Sequence, residues 1–210
     1  MCMLTEYERE IAMVVVEALV DYGMGEHLDS YGEHSLRDWY EYNELEDMGY
    51  TMSGGATKAC IKHDDLVNWV IKVGYTEIKI DYAKLEYENY CLAEQAGLSI
   101  YFPETVFIGE FDGRAFYAQR MCECDEDQIS SEWFECLRDR YEECGEEYDN
   151  DSIWSEVDCL EDDEKVQLFF GDDELIDFLR ENRINDLHEG NFGYFGGCKV
   201  IIDFSGFVGW

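Results

Sequence analysis

The feature that most constrains this 210-residue sequence is a polar loop near its end, which two short apolar segments follow. The loop contains Asp186 and, five positions later, Asn191, and the second apolar segment ends at Asp203. Gly196 and Gly197 separate the two segments, and glycines between two short apolar runs predict a tight β-hairpin. We expect this hairpin to bring Asn191 and Asp203 side by side.

This segment resembles the catalytic loop and the metal-binding motif of the protein-kinase-like superfamily. It is most similar to minimal microbial or phage-encoded kinase-like proteins and to small antibiotic phosphotransferases. In that superfamily an Asp positions the attacking hydroxyl, and an Asn and a second Asp bind Mg²⁺ beside the phosphates of ATP. The resemblance implies that Asp186 is the base or positioning group and that Asn191 and Asp203 bind Mg²⁺. His188 could contact a phosphate or only fill the loop.

Two positions of the segment depart from the superfamily pattern. Ile184 stands where a His precedes the catalytic Asp, and Ser205 stands where a Gly follows Asp-Phe. Without the resemblance, the segment would be interpreted as a polar loop followed by a buried strand. Because only seven residues follow Asp203, we expect a truncated, mainly helical large lobe without the helices that bind peptide substrates in eukaryotic kinases.

Three strands are predicted between residues 50 and 73, in runs rich in β-branched and aromatic residues. The turn after the first contains Ser53, Gly54 and Gly55, and glycines allow backbone N–H groups to approach phosphate oxygens. The third strand includes Lys72. The small lobe of a kinase begins in this way, so the resemblance implies that Lys72 contacts the α- and β-phosphates. Alone, these features indicate only a hairpin and a solvated lysine.

A helix is predicted from Tyr82 to Gln95, and the resemblance implies that one of its acids orients Lys72. The candidates are Glu86, Glu88 and Glu94. Glu88 shares its face of the helix with the apolar residues Leu85, Cys91 and Leu92. Because an unpaired buried charge is costly, we expect Glu88 to be the partner of Lys72.

Further along, two strands over 105–110 and 115–119 are predicted to form a hairpin with an Asp-Gly turn. In the kinase pattern the second of these strands runs into the hinge that covers the adenine. That places the hinge near residues 119–123, with Met121 as a nucleotide contact.

The chain is expected to be an α+β protein with a kinase-like two-lobed fold: a small antiparallel β lobe and a reduced helical lobe. We predict an N-terminal helical segment over 1–49, a small lobe over 50–121 and a large lobe over 122–210. The pattern Thr5-x-x-Glu8 predicts a capping box at the first helix. We expect residues 1–49 and the acidic part of 122–210 to help complete the large lobe.

The charge limits the possible partners. The net charge of −35 excludes a general affinity for nucleic acid or for anionic membranes and favours a protein partner with a basic surface. Acidic residues are densest over 122–163, where aromatic residues predict folded helices with either a solvated or a docking surface. No segment is apolar enough for a transmembrane helix or signal peptide. Nine cysteines then indicate a reducing cytoplasm, with free thiols favoured over a zinc site.

Two functions follow from these observations. The first is an ATP/Mg²⁺-dependent phosphotransferase with its nucleotide cleft between the lobes, which phosphorylates a hydroxyl group on a protein. The alternative is a kinase-like binding protein with weak or absent catalysis, whose acidic surface engages a basic partner or mimics nucleic acid.

Overall fold

A computed structural model of the chain describes residues 4–28, 32–55, 57–75, 79–124 and 159–206, with four isolated positions between 135 and 142. It is an α+β protein. The helices are α1 (Glu6–Asp21), α2 (Met24–Leu28), α3 (Gly32–Tyr42), α4 (Tyr82–Ala96), α5 (Asp162–Phe169) and α6 (Asp173–Glu181), with 3₁₀ turns at Leu45–Met48, Ser99–Tyr101 and Glu189–Asn191. The strands are β1 (Tyr50–Gly54), β2 (Lys58–His63), β3 (Trp69–Gly74), β4 (Thr105–Phe111), β5 (Arg114–Arg120), β6 (Phe192–Phe195) and β7 (Cys198–Ile201).

The first five strands form one antiparallel sheet in the order β1-β2-β3-β5-β4. The predicted strands and the predicted hairpin are confirmed. Asp112 and Gly113 connect β4 to β5 with φ values of 49° and 72°, as a two-residue turn with two positive φ angles requires. Directly paired residues of antiparallel strands share a face of the sheet. One row across the sheet therefore contains Ser53, Cys60, Lys72, Tyr117 and Phe107.

The opposite face of the sheet is apolar and packs against the N-terminal helices. The capping box of Thr5 and Glu8 is present at the start of α1, and the core joins buried residues of α1, such as Val16 and Leu19, to Ile61 and Ile71 of the sheet. The expectation that residues 1–49 complete the large lobe was therefore wrong. The apolar stripe of α1 is buried by the sheet instead, because this face would otherwise be exposed.

The chain divides into two compact units. The first comprises Met1–Leu92 and Glu104–Met121, and thus the five-stranded sheet with α1–α3. The second comprises Ala93–Pro103 and Cys122–Trp210, with α5, α6 and the hairpin of β6 and β7.

Aromatic rings form much of the second unit's core. Phe102 packs on Phe178 and Phe204, with ring centroids 5.6 and 4.9 Å apart, and Phe169 stacks on Phe192 at 4.8 Å. Most of the acidic segment 122–163 lies outside the described residues. In the part of the chain that the structure describes, no helix combines the length and apolar character needed to cross a membrane.

Candidate functional site

A buried ion pair joins β3 to α4 in the first unit. Lys72 Nζ donates hydrogen bonds to both carboxylate oxygens of Glu86, at 3.0 Å to Oε1 and 2.8 Å to Oε2. The Glu86 side chain is fully buried and that of Lys72 is 9% exposed. Desolvation makes buried ion pairs costly unless their geometry is good, and the contact of one ammonium group with both oxygens meets that condition.

The partner of Lys72 is Glu86, so our prediction of Glu88 was wrong. The Glu88 side chain is 52% exposed and pairs with Lys84 at 3.5 Å. We placed Glu88 on the buried face because apolar residues share its side of the helix, but one of them, Leu92, is itself exposed. The buried face of α4 consists instead of Tyr82, Ala83, Glu86, Asn89, Tyr90 and Ala93.

A sequence signal for Glu86 does exist. Ala83, Glu86, Tyr90 and Ala93 follow one another at the spacing of a single helical face. Tyrosine and alanine are less apolar than leucine, so this face has weaker hydrophobic contrast than the one that contains Glu88.

The position of Glu86 is set by the way α4 begins. Asp81 Oδ1 accepts a hydrogen bond from Lys84 N at 3.0 Å, which caps the first turn. The same carboxylate lies against Gly74 at the end of β3, where a Cβ atom would be 2.5 Å from Asp81 Oδ1. Gly74 therefore allows the start of α4 to approach the strand, and this approach brings Glu86 within reach of Lys72.

Three side chains contact the Glu86 carboxylate. Besides Lys72, they are Lys58 and Gln119, for which the sequence predicted no such contact. Lys58 Nζ on β2 lies 3.3 Å from Glu86 Oε1, and its side chain is 6% exposed. Gln119 Nε2 on β5 donates to Glu86 Oε2 at 3.4 Å and to Thr105 Oγ1 at 3.1 Å. Glu86 is thus held by Lys58, Lys72 and Gln119 from three strands.

The two residues that pair directly with Lys72 across the sheet, Tyr117 and Cys60, are both titratable. Burial raises the pKa of the Tyr117 hydroxyl, and the negative charges of Asp81 and Glu88 raise it further. Burial also raises the pKa of the Cys60 thiol, against the opposing effect of the Lys72 charge. Both groups are therefore neutral near pH 7, and Cys60 is not a reactive thiolate.

Of the three residues predicted in the glycine turn, only Gly55 follows β1, because Ser53 and Gly54 pair with β2 as the end of the strand. Ser53 pairs with Cys60 in the last part of β1, and Gly54 pairs with Ala59. Gly55 N donates a hydrogen bond to the carbonyl oxygen of Lys58 at 3.1 Å. This bond closes the turn directly beside the second buried lysine.

Met121 follows β5, as the hinge prediction requires, and its side chain is 38% exposed. Its backbone N–H donates to the carbonyl oxygen of Asn68 at 2.9 Å. A contact between Met121 and a nucleotide base would therefore use its side chain or its carbonyl oxygen, because the N–H is already bonded.

In the second unit, the polar loop holds Asp186 and Asn191 together. Asn191 Nδ2 donates to the backbone oxygen of Asp186 at 2.7 Å. Because only the NH₂ group of an amide can donate to a carbonyl, Oδ1 is the side-chain atom of Asn191 that could bind a metal. The Asp186 side chain is 31% exposed, so solvent reaches this carboxylate.

His188 lies beside Asp186. Its Nε2 is 3.9 Å from Asp186 Oδ1, and its side chain is 49% exposed. Gly190 N donates to His188 Nδ1 at 3.2 Å, so the neutral ring has its proton on Nε2, the nitrogen nearer Asp186. A role for His188 in contact with phosphate stays a prediction.

The predicted hairpin is confirmed by the pairing of β6 with β7. Ile202 N donates to the carbonyl oxygen of Asn191 at 2.8 Å, so Asn191 and Asp203 lie at the same end of the hairpin. Ser205 Oγ donates to Asp203 Oδ1 at 3.1 Å. Phe204, between them, is fully buried. The Ser205 hydroxyl thus helps to orient the Asp203 carboxylate.

The oxygen atoms of Asn191 and Asp203 fit Mg²⁺, which binds one or two protein groups together with phosphates and water. Over the described ranges, no group of three or more His, Cys, Asp and Glu side chains could hold a metal.

A cavity of about 320 Å³ lies beside the polar loop in the second unit. Its walls come from α5, α6 and the loop, and they include Asn185 and Leu187, which flank Asp186 in the sequence. Burial raises the pKa of Asp162 in the wall, and nearby negative charges, including that of Asp186, raise it further. The cavity is thus lined by apolar side chains together with two acidic residues and two basic ones, Asp162, Asp163, Arg180 and Arg183.

No protein-family model, curated protein or solved structure matches the chain. The assignment of a function therefore depends on the geometry of the residues described above.

Proposed function

We propose that the protein is an ATP- and Mg²⁺-dependent phosphotransferase of the protein-kinase-like superfamily, which transfers the γ-phosphate to a hydroxyl group on a protein. The observation that supports this proposal most directly is the buried pair of Lys72 and Glu86. A lysine on the third strand, paired with a glutamate on the following helix, is the arrangement that binds the α- and β-phosphates in kinases.

The order of elements also supports the proposal. A glycine turn joins β1 to β2, the lysine lies on β3, the glutamate lies on α4, and the β4–β5 hairpin follows. The small lobe of a kinase has the same order. In the second unit, the hydrogen bond from Asn191 to the Asp186 backbone is consistent with a catalytic loop that presents one side chain to the acceptor and one to a metal.

The proposed chemistry assigns one task to each group. The acceptor oxygen attacks the γ-phosphorus while its proton passes to the Asp186 carboxylate, and the bond from the γ-phosphorus to the bridging oxygen breaks to leave ADP. Lys72, held by Glu86, would bind the α- and β-phosphates. Asn191 and Asp203 would hold Mg²⁺, which supplies charge neutralisation for the phosphates when it is bound.

Calorimetric titration with ATP, with and without Mg²⁺, tests the proposal. We expect Mg²⁺-dependent binding that Asp203→Asn weakens. Asp186→Asn should leave ATP binding unchanged but lower phosphate transfer roughly a hundredfold to ten-thousandfold, the usual contribution of a general base. Glu88→Gln is the matched control and should change neither quantity, because this side chain is exposed. A folded protein that binds no ATP at millimolar concentration would contradict the proposal.

The extreme charge of −35 favours a second candidate, a kinase-like binding protein that engages a basic partner. Its test compares two variants in their rate of association with a lysine-rich histone as salt rises. One variant has Gln in place of Glu142, Glu143, Glu146 and Glu147. The control has Gln in place of four exposed acids of α1 and α3, Glu6, Glu10, Glu17 and Glu41.

If residues 122–163 form a docking surface, the first variant should associate with the histone more slowly than the control does. Equal rates for the two variants would show that only the total charge matters, and the binding function would lose its support.

A further inference from the structure

Two lysines from neighbouring strands meet at one carboxylate in the first unit. Lys58 and Lys72 both have Nζ within 3.3 Å of Glu86 Oε1, and both are at least nine-tenths buried. Lys72 alone already contacts both oxygens of Glu86. Lys58 therefore brings a second positively charged group to a carboxylate that Lys72 already contacts.

The location of Lys58 indicates what this positive charge could bind. Lys58 is the first residue of β2, and its carbonyl oxygen accepts the hydrogen bond from Gly55 N that closes the glycine turn. Gly54 ends β1 and Gly55 follows it, and the absence of a side chain at both positions lets other groups approach the backbone closely. The buried ammonium groups and the turn thus lie at the same end of the β1–β2 hairpin.

The contrast with the rest of the molecule strengthens this interpretation. The chain has 50 acidic and 15 basic residues, so most of its surface repels anions. Lysines are seldom buried, and burial in a low-dielectric setting increases the strength with which their charge attracts an anion. A pair of buried lysines is therefore the feature that best suits the capture of a polyphosphate by so acidic a protein.

We propose that Lys58 is a second phosphate-binding lysine, which shares Glu86 with Lys72 and binds the polyphosphate chain of the nucleotide next to the glycine turn. This inference depends on the proposed phosphotransferase function for the identity of the ligand, but not for the existence of an anion site. Glu86 then has two tasks: it orients Lys72, and it anchors Lys58 at the base of the turn.

Lys58→Met is the decisive variant, and Lys62→Met is its matched control. Lys62 lies on the same strand and the same face of the sheet, but it is exposed. Calorimetric titration of both variants and the wild type would use three ligands: ATP, adenosine and inorganic tripolyphosphate. We expect Lys58→Met to weaken the binding of ATP and tripolyphosphate about tenfold or more, the effect of losing a charge-assisted contact. Adenosine binding should be unchanged, and Lys62→Met should resemble the wild type.

A structural role for Lys58 predicts a different result. If Lys58 only stabilised the fold around Glu86, its loss would weaken ATP and adenosine to the same extent, or neither, and the proposal would be overturned. If Lys58→Met does not fold, Lys58→Gln replaces it. Glutamine keeps a hydrogen-bond donor for Glu86 but removes the charge, so the same two outcomes apply.

The three ligands also separate this proposal from the proposed function. A wild-type protein that binds tripolyphosphate but not ATP, and loses that binding in Lys58→Met, would contradict the phosphotransferase and support the anion site. A wild-type protein that binds neither ligand would overturn the anion site itself.

Discussion

Glu86 holds two ammonium groups in a part of the first unit that solvent hardly reaches, so its replacement tests how far this unit depends on one carboxylate. In Glu86→Gln, Lys58 and Lys72 stay buried while the charge that they share is removed. Breaking a buried pair by removing one partner typically costs about 3–5 kcal/mol. We therefore expect a clear fall in the urea concentration at which the protein is half unfolded.

Glu88→Gln is the control for this measurement. It makes the same chemical change two positions away on the same helix, but Glu88 is half exposed and pairs with the exposed Lys84. Exposed pairs contribute about 0–1 kcal/mol. Equal losses of stability in the two variants would show that the buried pair of Lys72 and Glu86 contributes no more to stability than an exposed pair.

Asp162 provides a prediction about pH. Burial raises the pKa of its carboxyl above the ordinary 3.8, and neighbouring acids add to the rise while Lys165 opposes it. The folded state therefore binds this proton more tightly than the unfolded state, and the free energy of unfolding falls as pH rises from 3.8 through the raised pKa. At neutral pH the partly buried Asp162 carboxyl is charged, and its desolvation penalty lowers the stability of the folded state by the full amount.

Asp162→Asn removes that penalty, so it should raise the free energy of unfolding at pH 7. Because the side chain is partly exposed, solvent screening limits the gain to a few tenths of a kcal/mol, and at most about 1. Thermal unfolding at pH 7 and near pH 4 measures it, and the difference from the wild type should shrink at the lower pH. Asp163→Asn, which loses the pair with Arg180, should bring no such gain. A lower melting temperature for Asp162→Asn at pH 7 would refute this explanation.

At the scale of elements, the close approach of α4 to the end of β3 decides whether Lys72 and Glu86 can meet. Gly74 permits this approach, since a Cβ atom there would lie 2.5 Å from Asp81 Oδ1. Gly74→Ala should therefore displace the Asp81 carboxylate from the Lys84 N–H that it caps and destabilise the first unit by about 0.5–2 kcal/mol, the usual cost of a lost N-cap. Hydrogen exchange of the α4 amides should also become faster.

Gly55→Ala is the matched substitution for that experiment. Its added Cβ would meet no atom closer than 3.8 Å, the backbone oxygen of Lys58, so stability should change little. If Gly74→Ala proves as stable as Gly55→Ala, the start of α4 can shift without cost and the contact does not position the helix.

The strands, the first helix, α4 and the two hairpins could be predicted, but the side-chain contacts between more distant elements could not. The capping box at Thr5 and the turn at Asp112 and Gly113 depend on residues close in sequence, so local chemistry is sufficient. The buried face of α4 was misassigned because its tyrosines and alanines have less hydrophobic contrast than Leu85 and Leu92. The contact of Lys58 with Glu86 depends on strand register and helix placement, which only tertiary packing determines.

At the scale of the whole molecule, the packing of α1–α3 against the sheet and the large negative charge have opposite effects on stability. The apolar stripe of α1 buries residues such as Val16 and Leu19, and this burial favours the folded state. The face of the sheet against which these helices pack could not be predicted, because an apolar helical stripe can pack against any apolar surface. Only the assembled sheet, with Lys72 on one face and Ile71 on the other, distinguishes the two faces.

The charge leads to a last prediction, about salt. A net charge of −35 should destabilise the folded state through mutual repulsion, and salt shortens the range of that repulsion from about 30 Å at 0.01 M to about 8 Å at 0.15 M. The melting temperature should therefore rise with added KCl at pH 7, by roughly 2–4 °C for each kcal/mol of repulsion that is screened. Repeating the series near pH 5, closer to the sequence pI of about 4.1, provides the control, because fewer carboxylates are charged there. The rise should then be smaller. An equal rise at both pH values would point to a general effect of salt on apolar burial rather than to screening of the acidic surface.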